Sequence, residues 1–459
     1  MIDRGFLNDD RSTSVHLVGV GGAGMSGLAK LLRQDGYTVS GSDLKPGRVL
    51  NRLRDLGVAA WTGSDPAKAL TADILVKSSA VPPSDPEVRA FAQAGRPVLG
   101  RPELLERMTA AVPAIGCAGT HGKTTSTALM IHALRNSGHD PSFMVGGQLS
   151  DLHTNAHLGA DETFLLEADE AFGTFRSLHL RGVLVTNIDA DHLDYYGNVA
   201  ALEEAFALVA TRTEGPVVGC IDDGGVSRLA QRTALVSYGM REEATYRITD
   251  VSHGNWEVSF MLSGPHGATP VSIPKPGDHI ARNAAGVLVL LHEMGFDVEQ
   301  AAASLASFEG VRRRFETRAN IAGVTVVDDY AHHPTEIAAT VQAARRGSWR
   351  KVWAVFQPHR YTRTAELGHL FGPPLACADE VIVTDVFAAS ETPIPGVSGR
   401  LVSQAVEAAG GSVRFVERVS DAVTVLSDEV VEGDLVLLLG AGDISAAAEE
   451  LARRLESRP

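Results

Sequence analysis

No lysine occurs between Lys123 and Lys275. Whatever the middle of the chain does with phosphate, Lys123 is the only ammonium group that stretch can supply. Cysteine is scarce too: Cys117, Cys220 and Cys377 are too few and too scattered for a disulfide framework or a thiolate zinc site, which suits a reducing compartment. Positive charge is in deficit, 41 Lys and Arg against 56 Asp and Glu, for a formal charge of −15. That balance excludes the broad basic face needed for nucleic acid or an anionic membrane, while leaving room for a local basic pocket. No apolar run approaches the ~18 residues that cross a bilayer. The opening residues, MIDRGFLNDDRSTS, are polar and acidic, without the apolar centre of a signal peptide. These absences predict a cytoplasmic protein with a flexible leader over residues 1–13 and with neither a nucleic-acid nor a membrane partner.

What remains is an ordinary globular composition, 44% hydrophobic and 21% charged, in 459 residues. That length predicts about three domains. Short β-branched runs alternate with Ala/Leu-rich helical stretches, the pattern of βαβ units and parallel sheets. Residues 1–112 read as a small Rossmann-like domain with strands VHLVGV, YTVSGSD, DILVKSS and PVLG. Residues 113–317 open at VPAIGCAGTHGKTT and continue through TFLLEAD, GVLVTNID and GPVVGCID as a P-loop ATPase-like parallel sheet. Between about 234 and 273, ALVSYG, ATYRITDVS, NWEVSFMLS and ATPVSIP follow without intervening helices and predict an added small antiparallel sheet. Residues 318–459, from GVTVVDDYAHHP to DLVLLLGAGD, form a second Rossmann-like unit. The fold class is α/β in three domains, and no internal repeat or low-complexity segment is visible.

Two glycine turns stand out. Gly19, Gly21 and Gly24 spell G-x-G-x-x-G, with Gly22 between them, directly after an apolar strand and before a helix-like stretch. Asp43 ends the next strand, where a dinucleotide fold places the acid that holds a ribose. Taken alone this is a nicotinamide-cofactor fingerprint, but such a turn cradles any diphosphate at the helix N-terminus. Ser78 and Ser79 of VKSSAV lie at the end of the following strand as its neighbours. The second turn is Gly119-Thr120-His121-Gly122-Lys123-Thr124-Thr125, between the strand AIGCA and a helix. Its glycines let backbone N–H groups wrap a phosphate, Lys123 neutralises charge, and Thr124 can coordinate Mg²⁺. Cys117 occupies the position of the first glycine in G-x-x-x-x-G-K-[ST], so that general pattern is only partly met. Glu167 and His192 follow consecutive strands of the same sheet. A carboxylate there can hold Mg²⁺ directly or through water. Either residue alone would pass for a solvated strand-end acid or a hydrogen-bonded loop histidine; their joint position raises both. In the third unit, DDYAHHPTEI offers Asp328, Asp329, Tyr330, His332 and His333, and QPHRYTRT offers His359, Arg360 and Arg363. Both lie at predicted strand ends, where open α/β sheets bind ligands and where arginine suits a carboxylate. The plainer readings are a capping turn at HHP and solvated arginines.

The motifs GTHGKTT, EADE, TNIDADHLD, GDHIARNAAG, RRRFE, DDYAHHPTEI, QPHRYTRT and GAGD occur in the order and roughly the spacing of the Mur ligases of peptidoglycan synthesis, and from about residue 14 to 445 the chain resembles that family. The resemblance implies an N-terminal domain for a UDP-linked substrate, held by Gly19, Gly21, Gly22, Gly24, Asp43, Ser78 and Ser79. It implies a central ATPase domain and a C-terminal domain that brings an amino acid. By motif, Lys123 would contact the β/γ-phosphates, Thr124 and Glu167 would hold one Mg²⁺ (with Mn²⁺ able to stand in), and His192 a second metal or its phosphate. His279, Asn283 and Arg313 would lie on the nucleotide side, and Tyr330, His332, Arg360 and Arg363 would frame the amino acid. There are departures: the family's EADESD reads EADEAF, and Ile280 replaces a frequent Asn. The lysine gap also excludes the carbamylated central-domain lysine that some members use.

The implied activity is ATP-dependent joining of L-alanine to UDP-N-acetylmuramate through an acyl phosphate, by a monomer or homodimer. A sister ligase attaching a peptide or another amino acid is the near alternative. From other classes, an NAD(P)-dependent oxidoreductase would rest on the first glycine turn alone, and a regulatory P-loop ATPase would turn over ATP without the sugar nucleotide.

Overall fold

A computed structural model describes residues 11–265 and 267–457, apart from the Asp194 side chain. Most of the expected leader, residues 1–10, lies outside the described residues. Three sheets account for the strands. The first has five parallel strands, β1 (Ser14–Val18), β2 (Thr38–Asp43), β3 (Ala59–Thr62), β4 (Ile74–Lys77) and β5 (Val98–Gly100), in the order β3-β2-β1-β4-β5. β1 is therefore central, and the order reverses beside it, so its C-terminal end opens onto a crevice. The sequence reading has no counterpart for β3, a four-residue edge strand, AAWT, too short to show a period.

The second sheet has ten strands. Its centre is β6 (Ala114–Ala118), flanked on one side by β9 (Phe164–Glu167), β7 (Ser142–Met144) and β8 (Ala156–His157). On the other side come β10 (Leu180–Val185), β11 (Val217–Cys220) and β12 (Val236–Gly239). All five residues of β6 are buried, as expected of a parallel strand covered on both faces. The segment ALVSYG differs from expectation: β12 pairs parallel to β11 after the helix Gly224–Ala230 and so extends the parallel sheet. The added strands are β13 (Tyr246–His253), β14 (Val258–Gly264) and β15 (Gly267–Ile273), which continue the same sheet as successive neighbours.

The third sheet runs β16 (Glu316–Ile321), β17 (Val324–Asp329), β21 (Leu435–Leu439), β18 (Val352–Phe356), β19 (Glu380–Val383) and β20 (Val413–Phe415). Only β16 is antiparallel. It joins β17 through Ala322 and Gly323, both at positive φ (51° and 72°), as a two-residue hairpin requires. VWAVF and LVLLL in β18 and β21 are buried throughout. Each such Leu, Val or Phe adds about 1.5–3 kcal/mol of burial.

By contacts the chain divides into two compact units. The first runs to Thr249 and takes in Met261–Val271 and Arg282–Glu309; the second comprises Asp250–Phe260, Ser272–Ala281 and the chain from Gly310 onward. The first therefore holds the five-stranded sheet together with most of the ten-stranded one. Within it Lys30 Nζ donates to Asn155 Oδ1 (2.6 Å) and Asn155 Nδ2 donates to the Ala23 carbonyl (2.9 Å), tying the first helix, Ala23–Gln34, to the β7–β8 edge.

Candidate functional site

Most residues singled out by motif sit where chain direction puts them, at or after the C-terminal ends of parallel strands, whereas His279 and Asn283 lie on the helix that follows β15 and Arg313 precedes β16. The loop after β6 climbs through Gly119 (φ 128°) to Gly122 (φ 86°) and enters the helix Lys123–Asn136. Those angles strain any residue with a Cβ. A Cβ at Gly119 would run into the Thr186 side chain, and one at Gly122 would lie 2.8 Å from Asn283 Oδ1. The glycines thus let Thr186 and the buried Asn283 close on the loop.

The TNID segment after β10 laces this loop in place. Asn187 Oδ1 accepts from His121 N–H (2.8 Å), and Asn187 Nδ2 donates to the His121 carbonyl (2.9 Å). Thr186 Oγ1 donates to that same carbonyl (2.6 Å), and Asp189 N–H donates to Thr120 Oγ1 (2.9 Å). His121 Nε2 lies 3.3 Å from Asp189 Oδ2. Thr120 and His121 are therefore scaffold as well as loop, a role the motif alone does not reveal.

Lys123 is pinned. Its Nζ donates to the Gly119 and Thr120 carbonyls (2.7 and 3.2 Å) and to both oxygens of Glu170 (2.8 and 2.7 Å), with Asp169 Oδ1 at 3.8 Å. Burial alone would discharge the ammonium group, but Glu170, Asp169 and Glu167 hold its pKa above the ordinary lysine value. The Glu170 carboxyl is pushed up by the same burial, which Lys123 only partly offsets. The two shifts pull opposite ways on one pair. The charged lysine is the member that the geometry supports, because two carbonyls and two carboxylate oxygens converge on it.

Glu170 is the residue that motif reading missed. It is 1% exposed, its backbone carbonyl accepts from Tyr196 Oη (2.6 Å), and His192 Nε2 stands 3.9 Å from its Oε1. Glu167 is turned differently: its Oε1 accepts from Gly146 N–H (2.6 Å). Thr124 is buried at the first turn of the helix, and Thr125 is partly buried beside it. Three carboxylates, Glu167, Asp169 and Glu170, surround one lysine, and the surplus of negative oxygen donors is the kind of set that takes a hard divalent cation. The departure EADEAF leaves Phe172 59% exposed at φ 54°, edge-on to Tyr195 at 6.2 Å. Ile280 is buried; His279 and Asn283 lie one turn apart on the helix Asp278–Glu293.

The first glycine turn is built on different lines. Gly19 has φ 81°, and a Cβ there would lie 3.1 Å from Ser78 Cβ. Asp43 Oδ2 accepts from Gly21 N–H (2.9 Å), and Oδ1 accepts from Lys45 N–H (3.1 Å), so the acid closes the turn. Gly22 caps the helix Ala23–Gln34 without a side-chain bond, Ser78 Oγ accepts from Ala80 N–H (3.4 Å), and Ser79 is exposed.

In the second unit the loops after β17, β18 and β21 converge. Tyr330 is covered by two guanidinium groups, Arg313 at 5.0 Å and Arg314 at 5.3 Å from the ring centre. Arg313 also donates to the Gly440 and Gly442 carbonyls (2.6 and 3.2 Å), whereas Arg312 turns outward to Glu316 (3.6 Å). The Tyr330, His332, His359 and Phe387 rings follow in succession, with centres 5.3, 5.9 and 5.6 Å apart. Burial lowers the His332 pKa against the pull of Glu336, with Arg363 adding to the fall. Burial, His332, Arg363 and Arg360 bring His359 down to about 4. Arg360 is aimed by Glu391, whose Oε1 accepts from Nε (2.6 Å). Asp329 is pushed up to about 6 by burial, while its oxygens accept from Phe315 and Ala331 N–H (2.7 and 2.8 Å). Tyr330, His332, Arg360 and Arg363 thus lie in one unit, with Arg314 against Tyr330 and Glu391 against Arg360 as supports that sequence reading did not single out.

Comparison with known proteins agrees with this anatomy. Three family models match in order: the Mur ligase family catalytic domain over residues 14–112, the Mur ligase middle domain over 117–291, and the Mur ligase glutamate ligase domain over 313–442. The chain is 41% identical to a UDP-N-acetylmuramate–L-alanine ligase of Mycolicibacterium vanbaalenii, covering 97% of this chain and 96% of that one. A protein of the same name in Myxococcus xanthus is 40% identical, over 98% and 96%. Among solved structures, the UDP-N-acetylmuramate-alanine ligase MurC of Thermotoga maritima superposes with a TM-score of 0.83 at 28% identity, over 97% of this chain and 99% of that one.

Proposed function

The chain belongs to the Mur ligase family, and on that premise we infer its reaction: ATP-dependent joining of L-alanine to UDP-N-acetylmuramate, forming UDP-N-acetylmuramoyl-L-alanine, ADP and phosphate for peptidoglycan synthesis. The observation that carries the chemistry is Lys123, held charged between loop carbonyls and Glu170 at the entry of a phosphate-binding helix.

A carboxylate is a poor electrophile, so the lactyl carboxylate must first take the γ-phosphoryl group of ATP. The obstacle is repulsion between two anions. Lys123 offsets it, and the N–H groups that open the helix at Lys123 receive the phosphates. Thr124 and Glu167 would hold Mg²⁺, which when bound screens the phosphate charge. His192, a nitrogen donor at 3.9 Å from both Glu170 and Asp191, fits a phosphate contact better than a ligand to that hard cation. Asn283 supports the loop, and by motif alone we assign His279 and Arg313 to the nucleotide. The diphosphate of the sugar nucleotide belongs on the Gly19–Gly24 turn, with Asp43, Ser78 and Ser79 shaping it. The amino acid belongs with Tyr330, His332, Arg360 and Arg363, where the two arginines take its carboxylate and neutral imidazoles accept from its amine. Attack of that amine on the acyl phosphate expels phosphate and leaves the amide.

Among the described residues no helix is long and apolar enough to cross a membrane. A soluble cytoplasmic enzyme acting as a monomer or homodimer is the reading we adopt. The test is phosphate release with ATP, Mg²⁺ and UDP-N-acetylmuramate plus L-alanine, glycine, L-serine or a tripeptide. L-Alanine should be preferred; a tripeptide preference would assign the chain to the peptide-adding relatives, and ATP turnover without the sugar nucleotide would refute a ligase.

A further inference from the structure

We propose that Arg101 is a positioning residue that bridges the two phosphate sites, one edge of its guanidinium taking the diphosphate of the nucleotide sugar and the other holding Asp169 against Lys123. The proposal rests on the ligase reading above. Arg101 is the first residue of the helix after β5 and so reaches across the C-terminal edge of the five-stranded sheet. Its Nη1 lies 2.9 Å from where a Cβ of Gly24 would be, which makes the bare backbone at Gly24 a condition of the approach. Nη2 lies 3.8 Å from Asp169 Oδ2, and Asp169 Oδ1 lies 3.8 Å from Lys123 Nζ. A continuous path thus runs from the first glycine turn to the catalytic lysine.

Two features indicate that this arginine awaits an anion. It is set against a helix N-terminus, where the macrodipole disfavours a cation and favours an anion. Its Nε is buried without a hydrogen-bond partner among the described residues, and its one carboxylate contact is long. A phosphate on the Gly19–Gly24 turn would satisfy the dipole, the orphan N–H and the charge together. The planar fork of arginine can serve two anions at once, one on each edge, which a lysine cannot do. Occupancy of the diphosphate site then fixes Asp169, and through it Lys123, so the two nucleotides bind with positive coupling.

The test uses the full chain with Arg101→Ala, Arg101→Lys and Asp169→Asn. Arg101→Ala should raise KM for UDP-N-acetylmuramate by about 10–100-fold, the worth of a charged hydrogen-bonded contact. KM for L-alanine should not move. Affinity for a non-hydrolysable ATP analogue is then measured with and without saturating UDP-N-acetylmuramate. The wild-type protein should bind the analogue several-fold tighter with the sugar nucleotide present. Arg101→Lys and Asp169→Asn should abolish that difference while still binding the sugar nucleotide, and retained analogue binding shows that they are folded. An unchanged KM in Arg101→Ala, coupling that survives in Asp169→Asn, or no coupling in the wild-type protein overturns the bridge and leaves the ligase standing. Failure of the wild-type protein to bind UDP-N-acetylmuramate at all refutes the ligase reading, and the bridge falls with it.

Discussion

The two glycine turns of the first unit share a strand–turn–helix grammar and differ in where their charge comes from. The turn at Gly119–Gly122 carries its own cation as the first residue of the following helix, and the neighbouring TNID segment laces its backbone. The turn at Gly19–Gly24 has no lysine or arginine within it and closes on an acid, Asp43, whose carboxylate accepts from Gly21 N–H (2.9 Å). A turn with a built-in lysine is suited to a phosphate that reacts, because the charge must follow the transferred group. A turn lined by backbone and an acid is suited to a phosphate that only anchors. Both present a helix N-terminus, and only one adds a lysine to it.

The comparison can be broken most directly at Lys123. Lys123→Ala should lower kcat by at least about 10²–10³-fold, as expected when a donor to the transition state is removed, with the fold intact by circular dichroism. Retained turnover would erase the difference between the turns. Asn187→Ala removes the lacing but keeps the lysine. It should cost about 10–100-fold in kcat/KM for ATP and leave KM for UDP-N-acetylmuramate alone; equal losses on both substrates would mean that the turns are not independent. Gly21→Ala puts a Cβ 2.7 Å from Asp43 Oδ2 and should weaken UDP-sugar binding about tenfold, with about 1–2 kcal/mol lost in stability. If ATP binding suffered as much in that variant, Asp43 would not be local to its turn.

The smallest effect concerns pH. The Lys123 pKa is raised, so the stability its ion pairs contribute is fully present below the ordinary lysine value and is lost only as pH climbs through the higher folded value. Between pH 7 and 9 the ATP side should therefore show no stability change traceable to Lys123, measured as the difference in Tm between wild-type protein and Lys123→Met. A slope in that window would mean that Glu170 does not hold the proton on the lysine.

Much of this was legible in the sequence because parallel strands buried on both faces read as continuous apolar runs. AIGCA, VWAVF and LVLLL announce themselves, and the functional loops follow their ends. β3, β7 and β8 have four residues or fewer, and β16, ETRANI, is half exposed, so none carries a period long enough to read. Glu167 stood out by its position at a strand end. Glu170 did not, because nothing in E-A-D-E says which acid turns inward; that depends on the chain's turn after β9 and on Tyr196 reaching the Glu170 carbonyl from a later helix. Arg101 belongs to no phosphate motif. Its significance comes from a contact between segments far apart in sequence, and such contacts are invisible to local pattern.

The solitude of Lys123 has a practical consequence. From residue 78 to 274 Lys123 is the only side chain that carries a primary amine, so a peptide from this region that gains an acyl label on an amine side chain has been modified at Lys123. Mass spectrometry of acylation rates across alkaline pH would therefore titrate this one group inside an enzyme of 459 residues, with Lys68, 66% exposed, as an internal standard. Lys123, 13% exposed and paired with a buried glutamate, should be far slower than Lys68. The chain thus carries its own reporter of the electrostatics at its phosphate loop.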